Sequence, residues 1–141
     1  MTRADVLAFM RIHSIGVQAS VSPLGAAQAA VVGFIVTDAF EIIFDTVDTT
    51  RKVVNLRRNA HCAFVIGGTM NGDERTVQYE GIADEPAGAD LEYLKQLYFV
   101  RFPDGPDRQQ LPGLTYFRVR PRWLRFSDFN QSPPAIVEFS F

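Results

Sequence analysis

The sequence predicts a mainly β chain: a small antiparallel β-barrel of Greek-key type with a few helices set between its strands. Three observations lead there. Runs of period-two alternation, or of apolar residues on both faces, recur along the chain between Gly, Pro and Asn turns. Only three short stretches carry a helical signature, and helices scattered singly among strands in one small domain fit a barrel. Twelve phenylalanines in 141 residues suit a β-rich core or a large subunit interface. The pattern counts about six strands, and an OB-like or SH3-like barrel would show similar ones.

The elements follow in order. From Asp5 to Ile12, the positions of Val6, Phe9, Met10 and His13 predict a short amphipathic helix over one end of a sheet. From Ser14 the period changes to two, with Ile15, Val17, Ala19 and Val21 alternating with small or polar residues. Ser22-Pro23-Leu24-Gly25 then turns a hairpin into Ala26 to Thr37. That second run is apolar on both sides, so both faces are expected to be covered. Asp38-Ala39-Phe40 leads into a strand from Glu41 to Thr46, and Thr50 to Arg58 follows as a helix ending near Asn59. His61 to Ile66 and Arg75 to Ala83 are strands joined by a glycine-rich loop. Leu91, Leu94, Leu97 and Tyr98 form the stripe of a third helix, closed by Pro103. A polar loop from Pro103 to Gly113 precedes two expected strands within Leu114 to Phe129, hinged at Pro121. No repeat, heptad run or linker divides residues 1–141, which read as a single domain.

Length and composition narrow the function. A chain of this size buries roughly 68–70% of the surface its unfolded form exposes and needs no disulfide or metal staple. Cys62, the only cysteine, lies in an apolar run, where it reads as a small core residue of a reduced protein. The charged N-terminus and the lack of any run near ~18 apolar residues predict a soluble, cytoplasmic protein with no cleaved signal and no membrane partner. A net charge of −2 with pI near 5.6 offers no global attraction for nucleic acid. The basic and aromatic stretch Tyr116 to Phe126 would suit a single strand in isolation, but the acidic total opposes it. His13 and His61 lie far apart with no third ligand at metal spacing, so no metal site is expected. No Ser-His-Asp, Cys-His or paired-carboxylate arrangement stands out, and no catalytic residue is assigned.

The chemistry concentrates in Phe44-Asp45-Thr46-Val47-Asp48-Thr49-Thr50-Arg51-Lys52. Two cations open a helix behind a hydroxyl-bearing cap, at the end where unpaired amides already carry about half a positive charge. Each cation there costs ~0.3–1 kcal/mol unless an anion joins it. With a phosphate in place every sign reverses, because free amides, two hydroxyls, a guanidinium and an ammonium converge on one dianion. Thr46, Thr50, Arg51 and Lys52 therefore read as a phosphate cradle. Arg57 and Arg58 sit late in the same helix, where the dipole favours cations, and read as a solvated face.

The pattern Phe44-x-Thr46-x-x-x-Thr50-Arg51-Lys52-x-x-Asn55-Leu56-Arg57-Arg58-Asn59 resembles the pyridoxamine 5′-phosphate oxidase-like family of FMN-binding split barrels. The initial helix, the Ser22 to Gly25 turn, the strand holding Gly81, the Leu-rich helix and the Phe117-Arg118-Val119 strand keep the family's order over roughly residues 4 to 130. The resemblance implies a six-stranded split barrel, a homodimer, and two FMN sites in the clefts between subunits. It implies hydroxyl ligands at Thr46 and Thr50 and phosphate-binding cations at Arg51 and Lys52. It places Val32 and Gly33 on the strand whose main chain lies against the isoalloxazine, Gly33 permitting close approach of a flat ring. Asp45 is expected near the ring or ribityl chain, with Gln78 and Trp123, and Arg125 beside the latter, bordering the flavin or the dimer cleft.

The sequence departs from the vitamin oxidases proper. The ring-facing strand lacks their arginine, Thr76 stands where they carry glutamine, Ser127 where they carry tryptophan, and no Arg-x-His pair occurs near the C-terminus. The resemblance therefore implies the flavin without the pyridoxal chemistry. The expected function is an FMN-dependent oxidoreductase moving electrons between the flavin and a small organic substrate or nicotinamide. The alternatives are a reductase using the deazaflavin F420, or a non-catalytic flavin or haem carrier or sensor.

Overall fold

The computed structural model describes all 141 residues. Its elements are α1 (Arg3–Arg11), β1 (Ile15–Val21), β2 (Ala27–Gly33), β3 (Ile35–Val36), β4 (Ile42–Val47), α2 (Arg51–Arg58), β5 (His61–Gly67), β6 (Arg75–Asp84), α3 (Gly88–Arg101), α4 (Gly105–Arg108), β7 (Leu114–Asp128) and β8 (Ala135–Ser140). One antiparallel sheet runs β2-β1-β5-β6-β7-β4-β3, with β8 added beside β7. It curls until β2 packs back against β4, giving a split barrel in which β2 keeps a free edge.

Alternation sorts the core. Phe64, Ile66, Val77, Tyr79, Phe117, Val119, Leu124 and Phe126 point inward together with Ile42 and Phe44 from β4. The Tyr79 hydroxyl stays satisfied there, donating to the carbonyls of Phe40 and Val119. One end of the barrel is plugged by α1, whose Val6, Phe9 and Met10 are buried, and whose start is fixed by a Thr2–Asp5 capping box. On the opposite face of β4, Ile43 packs with Leu94 and Tyr98 of α3 and Tyr116 of β7.

The structure differs from the sequence reading in four places. The sheet has eight strands rather than six, because the run after the hairpin breaks at Phe34 into β2 and β3, and residues 135–140 form β8. The expected hinge at Pro121 is absent, and β7 is one strand of 15 residues. A bulge absorbs the proline: Glu80 pairs with Trp123 and Gly81 with Pro121, leaving Arg122 as the extra residue. The loop after Pro103 contains the short helix α4. Lastly, only one face of β2 is covered within the chain. Val32 is buried, while Val31 on the other face remains 65% exposed.

Candidate functional site

Strand β4 delivers the chain to the start of α2. Phe44 and Thr46 share its inward face, and the Thr46 and Thr50 hydroxyls meet at 3.3 Å. Thr50 is the N-cap, yet its side chain caps no amide, and the first turn of α2 holds no acidic residue. Val54 is the first residue whose amide finds a carbonyl, that of Thr50, so the helix opens with amides unspent. Arg51 and Lys52 flank this opening without an ion pair, whereas Arg57 is held by Glu85 at 2.8 Å. Arg58 donates to the carbonyl of Ser22. The four cradle residues named from the sequence therefore lie together, and the two late arginines are already occupied.

Beside the cradle opens a cleft of about 310 Å³ between α2 and the β1–β2 hairpin, lined by Gln18, Ser20, Gln28, Ala29, Ala30, Arg51 and Lys52. Its polar floor escaped the sequence reading. Gln18 and Ser20 face the barrel interior on β1, at 1% and 4% exposure, while Ile15, Val17, Ala19 and Val21 face out. Asn55, on the buried side of α2, donates to the Ser20 hydroxyl at 3.0 Å and to Gln28 at 2.6 Å. Gln18 donates to the Cys62 sulfur at 3.4 Å, and burial pushes that thiol's pKa up to about 11, which leaves it inert as a nucleophile. The alternation around Gln18 and Ser20 carried the signal, but not which face was inward.

The remaining expected residues lie elsewhere. Asp45 is turned away from the cradle, since its neighbours Phe44 and Thr46 take the inward face. Its carboxylate, 2% exposed, sits beneath α3 and α4, where Arg108 donates at 2.6 Å and the Tyr98 hydroxyl at 3.2 Å. Burial outweighs Arg108 and raises the Asp45 pKa above its ordinary value. Val32 gives its side chain to the core, leaving only its main chain for a ligand. Gly33 is not open on the side a Cβ would occupy, because the Phe102 ring lies 3.1 Å from that position. Gln78 and Trp123 stand on the outer face of β6 and β7, where Gln78 pairs with Arg125 and Glu80 with Trp123. Arg125 and the Trp123 indole both donate to Glu138 of β8. Within one chain these side chains do not meet the cradle.

A wider groove of about 780 Å³ runs between the end of α1, β3 and α3, bordered by His13, Phe34, Ile35, Leu94, Leu97 and Arg101 among others. The His13 Nε2 is buried there without a hydrogen-bond partner, and burial lowers the imidazole pKa. No three His, Cys, Asp or Glu side chains gather closely enough to hold a metal ion. No helix is long and apolar enough to cross a membrane.

The comparison with protein families decides the assignment: the model for pyridoxamine 5′-phosphate oxidase matches residues 2–128. The chain belongs to this family. Among solved structures, this pyridoxamine 5′-phosphate oxidase family member is similar to a haem-binding protein from Mycobacterium smegmatis, with a TM-score of 0.81 and 14% identity over 99% of this chain and 59% of that one. It is also similar to a protein of unknown function from Agrobacterium tumefaciens, with a TM-score of 0.74 and 16% identity over 89% of this chain and 57% of that one. A pyridoxamine 5′-phosphate oxidase-related, FMN-binding protein from Nostoc punctiforme gives a TM-score of 0.75 at 9% identity, over 99% and 95% of the two chains. The chain thus spans less than two thirds of the first two proteins, and at these identities the likeness shows the fold. No curated protein matches at the sequence level.

Proposed function

We propose that this family member is an FMN-binding oxidoreductase that works as a homodimer in the cytoplasm. The observation that carries the reading is the start of α2, where unspent amides, two adjoining hydroxyls and two cations without an ion pair lie on neighbouring residues beside a polar cleft. A phosphate fits that donor set, because every group there donates or is positive. Arg51 and Lys52 would hold the phosphate, Thr46 and Thr50 would orient it, and the free edge of β2 would offer main-chain groups to a flat ring. When bound, FMN supplies the redox chemistry, and the substrate is a small organic molecule or a nicotinamide. The deazaflavin F420 also carries a phosphate that this cradle would take.

Support for the dimer comes from the outer face of the sheet. Ile15, Val31 and Val65 are exposed there among alanines on neighbouring strands. Gln78 and Trp123 share that face, so a second copy docked on it is the route by which they would reach a flavin.

A second reading, a haem carrier, is favoured by the unpartnered His13 Nε2 at the wide groove, which apolar and charged residues line together. The Mycobacterium smegmatis neighbour binds haem, and the Nostoc punctiforme neighbour binds FMN. One visible spectrum separates the readings. Protein purified after FMN supplementation and dialysis should show flavin bands that bleach when NADH or NADPH is added without oxygen. A colourless protein would end the flavin proposal, and a Soret band after addition of haemin alone would favour the carrier.

A further inference from the structure

We propose that the segment from Pro103 to Pro112 is a pH-responsive cover over the outer face of β4, held shut when Asp45 carries a proton and loosened when Asp45 ionises. The segment is lightly tied down. Within it only Gly105 is buried, against the Phe99 ring, and Arg108 is half-buried. Its other hydrogen bonds are all local turns, so the Arg108 side chain makes the only hydrogen bond or ion pair between this segment and the strands. How firmly the segment sits on β4 therefore turns on one carboxyl group.

Asp45 is bonded on one oxygen only. Its Oδ1 accepts from Arg108 at 2.6 Å and from the Tyr98 hydroxyl at 3.2 Å, while its Oδ2 is buried with no partner. The hydroxyl of Tyr116, the residue opposite Asp45 on β7, is also buried and unpartnered. A carboxylate in this position leaves a charged oxygen with neither water nor a donor, whereas a proton on Oδ2 removes the charge. The charged and titratable groups facing it are few. Arg108 and Asp104 come from α4 and its cap, Tyr98 from α3 and Tyr116 from β7, with Lys95 over the Tyr116 ring and Glu92 paired to Lys95. Asp107, the remaining charge of α4, is exposed, and apolar side chains such as Ile43 and Leu94 complete the packing. Burial outweighs the Arg108 cation and holds the Asp45 pKa above its ordinary value, whereas an uncovered Asp45 returns toward ~3.9. The covered form thus binds the proton more tightly than the uncovered one, and linkage requires that protonation favour the covered form. The sign is opposite to that of an exposed ion pair, which acid breaks.

The test follows hydrogen exchange of residues 103–112 in the full-length protein by mass spectrometry. Wild type and Asp45→Asn are compared at matched pH from ~4 to ~8, so that intrinsic exchange rates and the titration of His13 cancel in the ratio. Asparagine keeps an acceptor for Arg108 and Tyr98 and is neutral at every pH. At pH ~8 the segment should exchange at least about threefold faster in wild type than in Asp45→Asn, and the ratio should fall toward one near pH ~4. A ratio that stays at one, or that grows in acid, overturns the proposal. Arg108→Gln leaves the ionised carboxylate without its cation, so its segment should exchange faster than that of wild type at pH ~8, by a margin that narrows in acid. A second measurement needs no variant. The Asp45 carboxyl carbon of wild type, followed by NMR, should titrate above ~3.9, and a midpoint at or below that value overturns the proposal even if Asp45→Asn fails to fold.

Discussion

Arg51 and Lys52 occupy a position that the folded chain alone disfavours, and this gives them a double signature. Without an anion each is repelled by the helix dipole by ~0.3–1 kcal/mol, and with one each forms a charge-assisted bond worth ~1.5–3 kcal/mol. The double change Arg51→Ala and Lys52→Ala should weaken FMN binding by ~10²–10⁴-fold in a fluorescence titration, while the melting temperature of the ligand-free protein holds or rises. A fall in both would mean a merely structural pair. Arg57→Ala, which breaks the contact with Glu85, should leave the affinity unchanged. The placement of these cations at the start of α2 beside Thr46 and Thr50 was legible because their charges violate a local rule, and such violations collect at sites. Asp45 was misread for want of a simpler check: a strand that turns Phe44 and Thr46 inward must turn the residue between them outward. His13 makes a separate prediction. Its folded pKa lies below 6.5 because burial disfavours the imidazolium, so the unfolded chain binds the proton first as pH falls. Stability present above pH ~6.5 should therefore be lost as the solution is acidified through that value. Urea unfolding at pH 7.5 and pH 5.5 should show the loss, and His13→Leu should reduce it; an undiminished loss would assign it to other groups.

At the scale of elements, β1 and β6 were legible to within a residue or two because half-buried strands write their period into the sequence, and β5 because a short apolar run stands between an expected helix end and a glycine-rich loop. The extent of β7 was not, because a proline argues against a central strand unless the partner strand supplies a bulge. That supply comes from Gly81. A Cβ there would collide with the carbonyl oxygen of Arg120 and crowd Val119, so the strands can close on Pro121 only with glycine opposite. Gly81→Ala should cost about 1–3 kcal/mol in chemical denaturation, as expected for overpacking against backbone, and no loss would mean that the bulge relaxes freely. Strand β8 went unread for another reason. Its outer residues stay exposed, and it adds to an edge of β7 that local sequence does not announce.

For the whole molecule, the hairpin sets the polarity of everything around it. Period two shows that the two faces of β1 and β2 differ, not which one faces the barrel, and here the more polar face of β1 is inside. The arrangement is economical only if both faces have work: the inner one at the cleft, the outer one against a second molecule. Ile15, Val17, Val31 and Val65 lie on adjacent strands of that outer face, linked by the pairs Val17 with Val31 and Val17 with Val65. A contiguous apolar patch on a sheet is the kind of surface that a subunit interface covers. Val31→Glu separates this from a merely tolerated patch, because a residue 65% exposed in the single chain can carry a charge there at little cost to folding. The variant should keep its melting temperature at low protein concentration, sediment as a monomer where wild type sediments as a dimer, and lose FMN affinity with the dimer. Wild-type protein that sediments as a monomer and still binds FMN tightly would show that one chain completes the site, and Gln78 and Trp123 would then have no path to the cofactor.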